Sequence, residues 1–171
     1  MDTGSVDFAT AYERHAAGVF QFALYLTGNR ADAEDITAET FVRAFAAPDR
    51  IRAETMKSYL FTIARRLFRR GLRRRGRHQP LPDDVADPRA SVSARVEAKS
   101  ELEAIMAKLQ LLAHVDRAAL LMRTFHGLPY QEIAQALEIS LSSAKVKVHR
   151  ARAALIRIGA APPTSTSEEP S

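Results

Sequence analysis

The chain of 171 residues contains no cysteine, which excludes a disulfide framework, a thiol nucleophile and any cysteine-based zinc site. His149 has no other His or Cys at ligand spacing, so no metal and no cofactor are expected. No Ser/His/Asp set stands at a spacing that suggests hydrolysis, and no enzyme activity is expected. No apolar run approaches the roughly eighteen residues that a bilayer span requires. The N-terminus is acidic and then amphipathic, unlike a signal peptide, which points to a cytoplasmic protein. The most informative gap concerns charge: from Thr55 to Pro82 there is no Asp or Glu.

That gap holds Lys57, Arg65, Arg66, Arg69, Arg70, Arg73, Arg74, Arg75 and Arg77. The whole chain carries a net charge of +5, so nine cations here leave the remainder at −4. A mildly acidic protein with one intensely basic segment suggests a polyanionic partner. With 46% hydrophobic and 26% charged residues, the balance is otherwise that of an ordinary globular protein. The length permits one domain or two small ones, and two small cores would each gain from docking to a partner.

Hydrophobic periodicity predicts helices throughout. Phe8, Tyr12, Ala16, Val19, Ala23 and Leu26 form one face of a helix from about Asp7 to Thr27, stopped by Gly28, with Asn29 and Arg30 in the turn. A second helix from about Ala31 to Ala46 sets Ala33, Ile36, Phe41 and Phe45 inward. Asp32, Asp35 and Glu39 lie on a neighbouring strip; they suit either a solvated face favoured by the helix dipole or a docking surface for a basic partner. Pro48 to Thr55 reads as a loop. The third helix begins near Met56, with Met56, Leu60, Ile63, Ala64 and Leu67 as its core stripe.

The opposite face of the third helix is expected to carry Ser58, Thr62, Arg65, Arg69 and Arg73, with Arg66 beside them. Arg65–Arg69, Arg66–Arg70, Arg69–Arg73 and Arg70–Arg74 are like-charge pairs at i,i+4, together costing about 1–2 kcal/mol unless a polyanion neutralises them. A solvated helix face normally mixes its signs, and this one does not. It also lacks the interleaved apolar residues that membrane insertion needs, so no membrane insertion is expected.

Gly76 to about Val92 has three prolines and three aspartates and no helical period, which suits a linker. Helical pattern resumes near Ser93 with Val96, Leu102, Ile105, Met106, Leu109 and Leu112, and again with Ala118, Leu121, Met122 and Phe125 before Gly127. Ala161 to Ser171 is low in complexity and reads as a disordered tail.

Between these lies LPYQEIAQALEISLSSAKVKVHRAR, from Leu128 to Arg152. It has the outline of a helix-turn-helix. Pro129 takes the first helical position, Tyr130, Ile133, Ala134 and Leu137 face inward, Ile139 plugs the turn and Ser140 caps the second helix. There Ala144, Val148, Ala151 and Leu155 form the buried stripe. Ser142, Val146, His149 and Arg150 look outward, flanked by Ser143, Lys145, Lys147 and Arg152. Ser142, Ser143, Val146, Lys147 and Arg150 are the expected readers of base edges, with Val146 suited to a thymine methyl and Arg150 to a guanine or a phosphate. Three-helix modules with a basic last helix also bind proteins, so the motif alone does not settle the partner.

The two basic regions, in this order and spacing, resemble an extracytoplasmic-function (ECF) sigma factor of the sigma-70 family, reduced to regions 2 and 4. LTGNRADAEDITAETFVRAF followed by YLFTIARRLFRRGLRRR is similar to region 2, and the helix-turn-helix to region 4. The likeness covers about Phe8–Arg75 and Leu102–Ile158. It implies an all-α fold of two small helical domains joined by a flexible linker: region 2 over 1–78, linker 79–95, region 4 over 96–159 and a disordered tail over 160–171. It implies a protein that binds core RNA polymerase through the β′ clamp helices and the β flap, recognises promoter DNA and is often held by an anti-sigma factor. Asp32, Asp35 and Glu39 would dock on the polymerase. Tyr59, Thr62, Arg65, Arg66, Arg69 and Arg73 would serve the −10 element, where an aromatic stacks on an unpaired base. Ser142, Ser143, Lys145, Val146, Lys147, His149, Arg150 and Arg152 would serve the −35 element.

Five positions depart from the usual pattern. Tyr59 stands where Trp is common, Arg66 and Arg70 where Asn and Asp are frequent, and Pro129 where Ser is usual. Glu138 replaces a turn Gly, which predicts a left-handed backbone there. The competing reading is a helix-turn-helix regulator that binds duplex DNA without polymerase.

Overall fold

A computed structural model describes residues 6–76 and 101–160. The expected linker 79–95 and the tail beyond Ala160 lie outside these residues, as do Val96 and the start of its helix.

Three helices make the N-terminal half: α1 (Phe8–Thr27), α2 (Arg30–Ala46) and α3 (Met56–Arg75). Asp7 caps α1 by accepting from the Thr10 N–H, and Gly28 ends it in the left-handed conformation. Asn29 does more than turn the chain. Its side chain accepts from the Asp32 N–H at 2.9 Å, so α2 starts at Arg30. The segment Pro48–Thr55 is not irregular throughout, because Pro48–Arg50 and Ala53–Thr55 each form a short 3₁₀ turn.

The C-terminal half contains α4 (Glu101–Gln110), α5 (His114–Leu120), α6 (Tyr130–Leu137) and α7 (Leu141–Ala160). A π-helical turn, Leu121–Phe125, continues α5. Leu102 and Ile105 are not core residues, being nearly half exposed. Pro129 precedes α6 with extended backbone instead of opening it, and the helix begins at Tyr130. Ser140 caps α7 as expected, its Oγ accepting from the Ser143 N–H at 3.1 Å. Ala144, Val148 and Ala151 are buried under α7.

Glu138 has φ +57° and ψ 44°, the left-handed conformation that costs an L-residue roughly 1 kcal/mol. Glu138→Gly is therefore expected to be about 1 kcal/mol more stable than Glu138→Ala, which loses the same side chain and keeps the strain. Equal melting temperatures of the two variants would show that the turn stores no such strain.

α3 is buried on two sides, and this joins the halves. One stripe, Met56, Leu60, Ile63 and Ala64, packs in the three-helix half. A second, Phe61, Arg65, Phe68 and Leu72, is also buried and recurs at three and four. The second stripe faces the C-terminal half, so a single hydrophobic cluster runs through both. The Phe61 ring lies 4.7 Å from Phe22 and 4.5 Å from His126. Gln110 Nε2 donates to the Tyr25 carbonyl at 2.9 Å, and its Oε1 accepts from Arg117 at 2.6 Å. Gly28 is required beside it, since a Cβ there would fall 2.8 Å from Gln110 Cδ. Each half has a core too small for comfort, and burying α3 twice enlarges both.

His126 sits in this seam, buried against Phe22 and Phe61, while Lys57 Nζ donates to its backbone carbonyl at 2.6 Å. Its Nε2 has no hydrogen-bond partner among the described residues. Burial, aided by the Lys57 charge, lowers its pKa from 6.5 to about 4. The unfolded chain thus binds more protons between these values. The contribution to stability is complete above pH 6.5 and falls as the pH drops towards 4. In urea titrations at about pH 7 and about pH 5, His126→Phe is expected to lose less stability than the wild type on acidification. Equal losses would mean that another group governs the acid response.

Candidate nucleic-acid interface

The basic surface of α3 is displaced from the expected face. Arg65, expected outside, is only 3% exposed, because it falls on the second buried stripe. Thr62 and Arg69 are half-buried, and Arg66, Arg70, Arg73, Arg74 and Arg75 are exposed. Tyr59 is half-buried and lines a groove of about 290 Å³ with Arg43, Arg50, Ile63, Arg66 and Arg70. The groove lies beside the 3₁₀ turns and combines one ring with four guanidinium groups. That suits a stacked, unpaired base next to phosphates. Arg66 Nη2 also meets Glu138 Oε1 at 3.1 Å, an exposed pair that ties α3 to the helix-turn-helix turn.

On α2 the three acids are not equivalent. Asp32 is bound by Arg75 at 2.8 Å and partly buried. Glu39 pairs with Arg43 at 2.7 Å on the surface. Asp35 is exposed and has no ion-pair partner among the described residues. Asp35 and Glu39 form, with Val42, one wall of a cleft of about 650 Å³; Arg70 and Arg74 line the other. Val42 is 64% exposed, which gives this wall an apolar centre with a polar rim, as protein interfaces have.

In the helix-turn-helix, Ser142, Lys145, Val146, His149, Arg150 and Arg152 are exposed and Ser143 is half-buried. Lys147 is withdrawn: its side chain is only 13% exposed, with Nζ 3.9 Å from Asp116 Oδ1. Arg150 makes a two-point contact with the same carboxylate. Arg152 reaches Thr124 Oγ1 at 3.5 Å. Lys145 approaches the Tyr130 ring, whose centroid also lies 4.4 Å from the Arg123 guanidinium. Periodicity gave no hint of Asp116, which is 34 residues from its partner. The available signal is that no other acid occurs between Glu103 and Glu132.

Residues 11–78 match the family Sigma-70 region 2, and residues 102–155 match Sigma-70, region 4. The chain is 33% identical over 149 residues to the ECF RNA polymerase sigma factor SigL of Mycobacterium tuberculosis, covering 84% of each. The chain belongs to the ECF sigma factors of the sigma-70 family. SigE of Mycolicibacterium smegmatis is 35% identical over 81% of this sigma factor, which spans only 56% of that relative's length. The fold is shared with the sigma factor RpoE of Bartonella quintana, solved with the anti-sigma factor NepR. That likeness has a TM-score of 0.73 and 23% identity, and covers 92% of this chain and 99% of that one. CnrH, solved with the cytosolic domain of CnrY, gives a TM-score of 0.66 at 24% identity, over 88% and 86% of the two chains. The region 2 match runs from Ala11, in the first turn of α1, through the whole of α2 and α3, and the region 4 match contains the helix-turn-helix. No described helix is long and apolar enough to cross a membrane.

Proposed function

We propose that this sigma factor binds core RNA polymerase in the cytoplasm and directs promoter-specific initiation, with no catalysis of its own. The α2 wall of Asp35, Val42 and Glu39 docks on the β′ clamp helices, and the C-terminal half engages the β flap. Tyr59 and the exposed arginines of α3 hold the opened −10 strand, and α7 reads the −35 element. The observation that supports this reading is the run of exposed arginines on α3, Arg66, Arg70, Arg73 and Arg74, beside an aromatic-lined groove.

The closed packing adds a condition. α6 lies against α3, Arg66 is paired with Glu138, and Arg65 is buried, so the halves must part before both grip DNA. The docking wall on α2 stays exposed in the closed form, which lets polymerase bind first and DNA second. An anti-sigma factor, as seen with the RpoE relative, would act on the same balance. A regulator that binds duplex tightly by itself is disfavoured by the partly covered α3 face.

The test is run-off transcription on genomic promoter fragments with core polymerase, with and without the protein. Specific transcripts that need the protein are expected. Their absence on every fragment, with core that is active under another sigma factor, would overturn the proposal. A gel shift with and without core separates it from the polymerase-independent reading.

A further inference from the structure

Tyr59, Ile63, Arg66 and Arg70 are spaced i, i+4, i+7 and i+11, so they lie on one strip of α3. That strip forms one wall of the groove of about 290 Å³, which Arg43 and Arg50 also line. Ile63 is buried, whereas the four arginines are exposed. The groove therefore combines an apolar base and one aromatic ring with a cationic rim. Arg66 Nη2 meets Glu138 Oε1 at 3.1 Å, with both side chains mostly exposed. Such an exposed pair is weak, and Glu138 belongs to the C-terminal half, so parting of the halves releases it.

The polar chemistry of this groove is one-sided. A guanidinium carries five donors and no acceptor, and among the described lining residues only the Tyr59 hydroxyl is a side-chain acceptor. At position 66 the family frequently has Asn, whose amide offers a donor and an acceptor; Arg66 offers donors alone. An unpaired base can present either of its polar edges. Every Watson–Crick edge includes a donor: adenine N6, guanine N1 and N2, cytosine N4 or thymine N3. On the other edge adenine sets its N6 donor beside N7, cytosine has its N4 donor, and thymine has a single acceptor beside a methyl group. Only the O6 and N7 edge of guanine presents two acceptors and no donor, and a guanidinium meets it with two parallel N–H groups. Arg66 is the arginine of the strip nearest to Tyr59, about 10 Å along the helix axis, a span bridged by a base stacked on the ring and an extended arginine.

We infer that the Tyr59 groove takes an unpaired guanine of the opened −10 strand and that Arg66 selects it through O6 and N7. The inference rests on the −10 reading proposed above and adds the identity of the base and of its reader. Arg43, Arg50 and Arg70 supply positive potential for the flanking phosphates.

Holoenzyme formed from the full chain and core polymerase would select from a promoter library randomised across the −10 element. The wild type is expected to enrich guanine at one position of the non-template strand. Arg66→Lys keeps the charge and loses the planar fork. It is expected to lower that preference about tenfold, the order of one bidentate base contact, and to leave the other positions as they were. In run-off transcription from a mismatched bubble, 7-deazaguanine at this position, which lacks N7, is expected to lower the yield several-fold. Inosine, which lacks only the N2 amino group, is expected to match guanine. The inference fails, with promoter-specific initiation intact, if no position enriches guanine or if Arg66→Lys keeps the preference. It fails in the same way if 7-deazaguanine serves as well as guanine, or if inosine loses as much as 7-deazaguanine, since the Watson–Crick edge would then be the one read. A holoenzyme that enriches nothing and gives no specific transcript from genomic fragments overturns the promoter reading as well.

Discussion

Reversing Asp35 and Glu39 together to lysine is expected to lower the affinity for core polymerase about 100-fold, near 2.7 kcal/mol, while the melting temperature stays within a few degrees. Both side chains are exposed. Glu39 gives up only a surface pair with Arg43, worth at most about 1 kcal/mol. Asp35 has no ion pair among the described residues. Their cost to folding is therefore small, and like charges set against a basic partner cost several-fold more. Asp32 belongs to the same sequence strip but is held by Arg75 at the seam of α2 and α3, so its reversal would confound docking with stability. Fluorescence anisotropy of labelled protein titrated with core, beside a circular dichroism melt, reads both quantities. Unchanged affinity with an unchanged melt would remove the α2 wall as the docking surface.

Phe61→Ala is expected to destabilise the protein by about 3–5 kcal/mol, the range for emptying a buried aromatic site. The ring is 1% exposed and touches Phe22 in one half and His126 in the other. A cavity there loosens two cores at once, so a loss of roughly 10–20 °C in melting temperature is expected. The second consequence is conformational. With the seam weakened, cleavage by a protease specific for arginine should reach the α3 surface sooner than it does in the wild type. If the melt splits into two transitions and only one moves, the halves fold independently and the seam contributes little.

Much of this protein can be read from residue spacing. The faces of α1 and α2, the stop at Gly28, the cap at Ser140 and the buried stripe of α7 follow from local rules, because caps and amphipathic periods are short-range properties. Glu138 could be placed in the left-handed region because the family's turn prefers Gly there. Arg65 could not be placed. A helix with one apolar stripe presents its arginines to water, and the chain does not say that Phe61, Phe68 and Leu72 make a second stripe until something packs on it. The same holds for Phe8 and Tyr12. They satisfy the period of a buried face, yet each remains nearly half exposed at the edge of an aromatic group with Phe41 and Phe45.

By itself the sequence determined an all-α chain with two basic segments, an acidic strip on the second helix and membership of the sigma factors, since these depend on composition, period and motif order. Only the tertiary structure decided which cations face outward. It buried Arg65, drew Lys147 inward, coupled Arg150 to Asp116 and set Arg66 against Glu138. Each of these depends on a partner far along the chain, and burial and charge pairing are settled by which surfaces meet in space.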